Sequence, residues 1–185
     1  MTDKTRQSVR GRVVALAAAA AVVAADQITK ALAVRALVHE GVSMTAIPGA
    51  LNFTYVLNPG ATAGILSNHR WVFMTVSTVV IIAAIIYIAL GRMRSNFSAV
   101  SLALIVGGGI GNMIDRVANG KVVDFIDVTL VDFFPFSTVF NVADMFVTVG
   151  CALLVISIII EEVKERKERA AAPQSEDKKE EQDDK

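Results

Sequence analysis

An unbroken run of twenty uncharged residues, Trp71 to Leu90, constrains the fold of this chain more than any other feature. A helix needs about 20 predominantly apolar residues to cross the hydrocarbon core of a bilayer. Trp71 stands at the start of the run, where an aromatic side chain suits the membrane interface. The run therefore predicts a transmembrane helix, and it argues against an ordinary soluble domain.

Similar apolar runs predict further spans at about 13–34, 97–115 and 139–160. Hydrophobic residues make up 54% of the 185 residues, while charges collect in the termini and the short loops. The formal net charge of zero therefore indicates nothing about partners. We predict a mainly α, integral membrane fold with four transmembrane helices in one domain, residues 1–165. Residues 166–185 have the mixed charge and low hydrophobicity of a disordered tail.

The first apolar run permits two interpretations. Val13 to Ala25 is rich in Ala and Val and follows a basic segment, so that with AVVAAD it imitates a cleavable signal peptide. Apolar residues resume from Ile28 to Val34, which makes the run long enough for a span, the interpretation we favour. Asp26 and Lys30 then lie at i and i+4, either as a simple ion pair or as part of a site.

The segment between the first two spans is more polar and shows a period close to two from residue 51 to residue 57. This alternation predicts a strand, and Asn58-Pro59-Gly60 then predicts a turn. Residues 116–138 are predicted to form an outer loop that contains VVDF and the aromatic FFPF.

The distribution of basic residues predicts the orientation, because Lys and Arg favour the cytoplasmic side. Ten lie near the termini and the Gly91 loop, against four on the other side, so both termini should be cytoplasmic. The topology then brings a set of polar residues to the outer face: Asp26, Lys30, Asn58, Asn112, Asp115, Arg116, Asp124, Asn141 and Asp144.

Local explanations exist for some of these residues. Asn141 and Asp144 have the spacing of a helix N-cap and a carboxylate in the first turn. Asp115 and Arg116 have the positions of ordinary interface charges. Capping does not require Asp124, however, and the convergence of the whole set favours one site.

Two carboxylates about 4 Å apart repel by about 4 kcal/mol at an effective dielectric of about 20, so one tends to hold a proton. Such a pair of carboxylates would act as acid and base in hydrolysis, as in an aspartic protease. The sequence offers no Ser–His or Cys–His pair and no metal-binding cluster, and Cys151 is a lone residue in an apolar run. The glycine cluster at residues 107–111 lacks the ending of a phosphate loop and a preceding strand, so nucleotide binding is not expected. No nucleic acid is expected as a partner.

Five blocks make the chain resemble the bacterial lipoprotein signal peptidases, also called type II signal peptidases: DQITK (26–30), NPGATAGIL (58–66), GNMIDR (111–116), VVDF (122–125) and FNVAD (140–144). The resemblance implies four transmembrane helices with a small outer-face β-like cradle formed by residues 35–70. It implies a catalytic pair, Asp124 and Asp144, and no metal or cofactor. The supporting or substrate-binding residues it implies are Asn58, Gly60, Asn112, Asp115, Arg116, Asn141, Asp26 and Lys30.

The implied enzyme is a monomer in the bacterial cytoplasmic membrane, with its active site at the outer face and membrane lipids around it. Its implied substrate is a diacylglyceryl-modified prolipoprotein, cut just before the lipidated cysteine. Thr62, Ala63 and Met145 depart from the usual family blocks and affect the expected fit of substrate or inhibitor.

Two other classes of protein remain as alternatives. A proton-conducting transporter would use intramembrane Asp residues, but it needs ionisable groups through the depth of the bilayer. A structural assembly protein would explain the GxxxG spacing of Gly107 and Gly111 and leave the two aspartates without a role.

Overall fold

The computed structural model describes residues 8–60, 70–129 and 139–171, with side chains for all of these except 70–73 and 171. Several sequence predictions lie outside this part of the chain: the later residues of the NPGATAGIL block, with Thr62 and Ala63; the side chain of Trp71; the FFPF segment; and residues 172–185.

Within the described residues the predicted spans are all helical: α1 is Val9–Leu37, α2 is Arg70–Ala89, α3 is Asn96–Asn119 and α4 is Val142–Ala171. Side-chain caps begin two of these helices. The hydroxyl of Ser8 accepts from the backbone N–H of Gly11, and the hydroxyl of Ser95 accepts from that of Ser98. The α3 helix ends at Gly120, whose φ of 70° suits glycine.

Three helices of the described chain are long and apolar enough to cross a membrane: α1, α3 and α4. In α2 the apolar stretch with described side chains, Met74–Ala89, is shorter than a full span. The fold is therefore a helical membrane fold, and the expectation of a fourth span stays a prediction.

A four-stranded antiparallel sheet, in the order β1-β2-β3-β4, covers one end of the helices. Its strands are β1 Ser43–Ile47, β2 Leu51–Asn58, β3 Val122–Val128 and β4 Val139–Phe140. The strand predicted from the alternation at residues 51–57 is confirmed as β2. The predicted loop around VVDF is wrong, because these residues form β3, paired with β2. All four are buried, so no period of two marks them as a strand.

Glycines let α1 and α4 pack closely against α3. A Cβ on Gly107 would lie 2.7 Å from the carbonyl oxygen of Ala19 in α1. A Cβ on Gly111 would collide with the Asp26 carboxylate, also in α1, and one on Gly108 would lie 2.5 Å from the carbonyl oxygen of Ala143 in α4. The close approach predicted from the GxxxG spacing is confirmed, and it brings the polar groups of three helices together.

At the opposite end of the bundle, hydroxyl groups hold the carboxylate of Glu161 in α4. Ser95 donates to it at 2.7 Å, Ser157 at 3.2 Å, and Ser98 donates as well. The α4 helix continues to Ala171, past the boundary of the tail predicted at residue 166. Ion pairs one turn apart explain this extension, for example Arg166 with Glu162 at 2.8 Å.

Candidate active site

Asp124 lies in β3, with 2% of its surface exposed. The side-chain amide of Asn58 donates to its Oδ2 at 2.8 Å, and that of Asn141 donates to its Oδ1 at 2.6 Å. The pKa of Asp124 is raised from 3.8 to about 6, chiefly by burial and also by the nearby charge of Asp144, against the two amide donors and Lys30, which lower it. Asp124 is thus a carboxyl group that titrates near neutral pH.

Asp144 lies in the first turn of α4 and exchanges two hydrogen bonds with Asn141. The backbone N–H of Asp144 donates to Oδ1 of Asn141 at 3.0 Å, and the backbone N–H of Asn141 donates to Oδ2 of Asp144 at 3.2 Å. This reciprocal cap confirms the local explanation of their spacing. The second oxygen of Asp144 accepts from the side-chain amide of Asn112 at 2.8 Å, so the carboxylate also belongs to the site.

Asn141 links the two carboxylates. Its side chain is fully buried, and its Nδ2 lies 2.6 Å from Asp124 Oδ1 and 3.0 Å from Asn112 Oδ1. Asn112 in turn contacts Asp144. Strand β3, helix α3 and the start of α4 therefore meet through two asparagine amides.

Lys30 lies under these amides, buried between α1 and α3. Its Nζ forms ion pairs with Asp26 at 2.9 Å and with Asp115 at 2.8 Å, and it donates to Oδ1 of Asn112 at 2.9 Å. Asp26 and Lys30 thus form the predicted i, i+4 pair and are also part of the site. The Asp115 interpretation as a mere interface charge is wrong, since the carboxylate is buried in this cluster.

The two acidic partners of Lys30 also hold the backbone beside each candidate carboxylate. Asp115 accepts from the N–H of Val123 at 3.1 Å, and Asp26 accepts from the N–H of Ala143 at 2.9 Å. Val123 and Ala143 each come directly before one of the two aspartates. The cluster therefore positions the segments that carry Asp124 and Asp144.

Gln27 also belongs to this buried cluster, although the sequence did not predict it there. Its Nε2 lies 3.2 Å from Asp26 Oδ2, 3.2 Å from the Gly111 carbonyl and 3.1 Å from Asp115 Oδ1. A signal was available, because an amide beside a charged residue in an apolar helix needs partners from a neighbouring helix.

Gly60 and Arg116 lie at the edge of the site. The N–H of Gly60 donates to Oδ1 of Asn58 at 2.8 Å, and the φ of Gly60 is 81°, so a side chain there would be strained. The Arg116 guanidinium is half-buried beside this turn and donates to the Asn112 carbonyl at 3.4 Å. This turn fixes the amide of Asn58 toward Asp124.

One acidic neighbour of Asp124 stands apart from this cluster. Asp127, also in β3, accepts from the Thr54 hydroxyl at 2.9 Å on the sheet. In the described residues, no group of three or more His, Cys, Asp or Glu side chains is arranged to hold a metal ion. Cys151, the lone cysteine of the fourth apolar run, is exposed on α4 rather than buried as a small core residue would be; in a membrane helix an apolar thiol suits a lipid-facing position.

Long apolar helices with two carboxylates and two amides hydrogen-bonded together at one end define an integral membrane protein with a site suited to acid–base chemistry. The sequence model of the signal peptidase (SPase) II family matches residues 18–160. The chain therefore belongs to the signal peptidase II family and is a peptidase, and the resemblance read from the five blocks is confirmed.

Curated relatives and solved structures agree with this membership. The chain is 40% identical to the lipoprotein signal peptidase of Brevibacillus brevis over 147 residues, 79% of this chain and 95% of the relative. It is 41% identical to that of Symbiobacterium thermophilum over 143 residues, 77% of this chain and 91% of the relative. A bacterial membrane enzyme solved by the in meso method at 2.3 Å is similar in fold, with a TM-score of 0.70 and 32% identity over 85% of this chain and 93% of that one.

Proposed function

We propose that this peptidase removes the signal peptide from prolipoproteins whose lipobox cysteine carries diacylglycerol, by cutting the peptide bond before that cysteine. Membership of the signal peptidase II family supports the reaction, and the relatives in Brevibacillus brevis and Symbiobacterium thermophilum are lipoprotein signal peptidases. The site lies where the apolar helices end at the sheet, a position that a lipid-anchored peptide reaches from within the membrane.

The proposed mechanism is that of an aspartic peptidase and uses Asp124 and Asp144. The ionised carboxylate takes a proton from water as the water oxygen bonds to the scissile carbonyl carbon. The protonated carboxyl gives its proton to the carbonyl oxygen, and the leaving amine later takes the proton that came from the water. The observation that carries this proposal is the linkage of both carboxylates through Asn141 and Asn112.

The other site residues have supporting roles in this proposal. Asn58 and Asn141 hold Asp124 by hydrogen bonds to its two oxygens, and Gly60 shapes the turn that presents Asn58. Arg116, half-buried beside that turn, is placed to bind carbonyl groups of the substrate near the scissile bond.

In the membrane we propose a monomer with four spans, α2 being the fourth, in the bacterial cytoplasmic membrane. Both termini are cytoplasmic, and the site lies at the outer face. The excess of basic residues near the termini and the Gly91 loop supports this orientation. A reporter fused after Arg94 should give a cytoplasmic signal, and an external signal there would contradict the orientation.

The function is tested by cleavage of one precursor in two forms, with and without diacylglycerol on the lipobox cysteine. The purified protein should shift the lipidated form on a gel and leave the unlipidated twin intact. Equal cleavage of both forms would contradict the proposed substrate class, and cleavage of neither would contradict the proposed reaction.

A further inference from the structure

All three N–H groups of the buried Lys30 ammonium have acceptors: Asp26, Asp115 and Asn112. Only 3% of Lys30 is exposed, and a buried ammonium is costly unless it is paired. The two carboxylates supply the charge that such a group needs. The third bond goes to the neutral amide of Asn112, which itself donates to Asp144, so Lys30 is one residue away from a candidate carboxylate.

This third bond determines the orientation of the Asn112 amide. Lys30 can only donate, so Oδ1 of Asn112 faces it, and Nδ2 of Asn141 donates to the same oxygen at 3.0 Å. The amide nitrogen of Asn112 must then face Asp144, 2.8 Å away. The reversed amide would set its N–H groups against the ammonium and its oxygen against the carboxylate.

The surroundings of the two aspartates differ in a way that separates their roles. Asp144 accepts an N–H polarised by the ammonium of Lys30, accepts the backbone N–H of Asn141, and lies at the positive end of the α4 dipole. Asp124 lies in a strand, is more deeply buried, and has two neutral side-chain amides as donors. The negative charge is therefore better stabilised on Asp144.

We propose that Lys30 is a positioning residue which orients the Asn112 amide and thereby makes Asp144 the ionised base and Asp124 the protonated acid. This inference rests on the proposed peptidase function. Asp144 takes the proton of the attacking water, and Asp124 protonates the carbonyl oxygen. In the second step Asp144 gives its proton to the leaving nitrogen as the C–N bond breaks, and Asp124 recovers a proton from the gem-diol.

Charged groups face Lys30 and the two candidate carboxylates from each of the elements packed around them. Asp26 faces Lys30 from α1 and Asp115 faces it from α3. Asp124 in β3 is within electrostatic range of both Lys30 and Asp144, and burial dominates in raising the pKa of Asp124 to about 6. As the acid, Asp124 holds its proton below this pH and loses it above.

The first test is the pH profile of kcat/KM for the wild-type protein with a diacylglyceryl peptide. The assignment predicts that kcat/KM falls as pH rises through the pKa of Asp124, about 6. A rate that rises through the same range would make Asp124 the base and would overturn the proposal.

The second test compares Lys30→Gln with Lys30→Met in the Asp115→Asn background, which keeps the formal charge of the cluster as it is in the wild type. Gln retains an N–H donor for Asn112 and Met does not. We expect kcat to be about tenfold to a hundredfold lower with Met than with Gln, with KM within about twofold. Equal kcat values would show that Lys30 does not act through Asn112.

Both double variants lack the Lys30 charge, which lowers the pKa of Asp124. The alkaline limb of their kcat/KM profile should therefore lie at higher pH than in Asp115→Asn alone. A purely structural role of Lys30 would not produce this shift. Lys121→Met removes an exposed lysine and should leave the profile unchanged. An unshifted alkaline limb in both double variants would count against the proposal.

The outcomes separate this inference from the peptidase function. If Asp124→Asn or Asp144→Asn cleaved normally, the proposed catalytic pair would fail, and the inference with it. If both aspartate variants were inactive while the Lys30→Gln and Lys30→Met variants had equal kcat values, the catalytic pair would stand and only the positioning role of Lys30 would be rejected. If a lysine variant does not accumulate in membranes, the direction of the wild-type profile still tests whether Asp124 is the acid, and a rate that rises with pH overturns the proposal.

Discussion

Asp115 in α3 accepts a hydrogen bond from the backbone N–H of Val123 at 3.1 Å, and the same carboxylate oxygen pairs with Lys30 at 2.8 Å. Val123 is the residue before Asp124. The position of Asp124 thus depends on a buried ion pair between two helices.

The same arrangement recurs at the other carboxylate. Asp26 accepts from the backbone N–H of Ala143 at 2.9 Å and pairs with Lys30 at 2.9 Å, and Ala143 precedes Asp144. One lysine therefore connects the two segments that must meet for the proposed chemistry. Removing one member of such a cluster leaves a buried charge without its partner, which is costly.

Gly111→Ala should disturb this cluster directly. The added methyl group would collide with the Asp26 carboxylate, and its distance from Cγ would be 3.0 Å. We expect about a hundredfold loss of activity, because displacement of a supporting group by about 1 Å can cost that much. The cleavage rate per inserted molecule measures the effect.

Gly109→Ala is the matched control, since its Cβ would meet only the flexible end of Ile81 at 3.0 Å. It should keep most of its activity. Equal losses in the two variants would show that close helix packing, rather than contact with Asp26, explains the result.

Asn58→Ala should shift the pH profile of cleavage. The amide of Asn58 donates to Asp124 and lowers the pKa of that carboxyl, so its loss raises the pKa. If Asp124 is the acid, the alkaline limb of kcat/KM moves to higher pH, and kcat falls about tenfold or more.

Asn52→Ala is the control on the same strand, opposite Asp127 rather than Asp124 in the strand register. Its profile should match the wild type. An alkaline limb that moved to lower pH in Asn58→Ala would contradict the assigned role of the Asn58 amide.

Glu161→Leu should lower the thermal stability without changing the chemistry of the site. The carboxylate accepts from Ser95 and Ser98 at the start of α3 and from Ser157 in α4 itself, and the loss of these bonds should cost about 1 to 2 kcal/mol. Thermal unfolding in detergent measures the loss. Glu162→Leu alters an exposed surface pair and should have little effect, so equal destabilisation by both would rule out the serine contacts as the cause.

The sequence was sufficient for features that depend on local pattern. The apolar runs predicted the four helices of the described residues, and the alternation at residues 51–57 predicted β2. The spacing of Asn141 and Asp144 predicted a helix cap, and the structure has that cap in both directions. Each of these signals lies within one continuous stretch of the chain.

Features that depend on contacts between distant segments were not predictable in this way. VVDF is buried throughout, so its strand carries no alternation. Gln27 meets Asp115 across 88 positions of sequence, and nothing in the spacing of either residue indicates the pair. The choice of Asp124 over its acidic neighbours came from the family resemblance rather than from spacing.

In the proposed mechanism Asp124 and Asp144 together perform the hydrolysis. The most direct measurement is cleavage of a diacylglyceryl precursor by purified Asp124→Asn and Asp144→Asn, beside Asp127→Asn as a control on the same strand as Asp124. We expect each of the first two variants to be inserted and folded, with a rate at least about a thousandfold lower, while Asp127→Asn cleaves normally. Normal cleavage by either Asp124→Asn or Asp144→Asn would contradict the account.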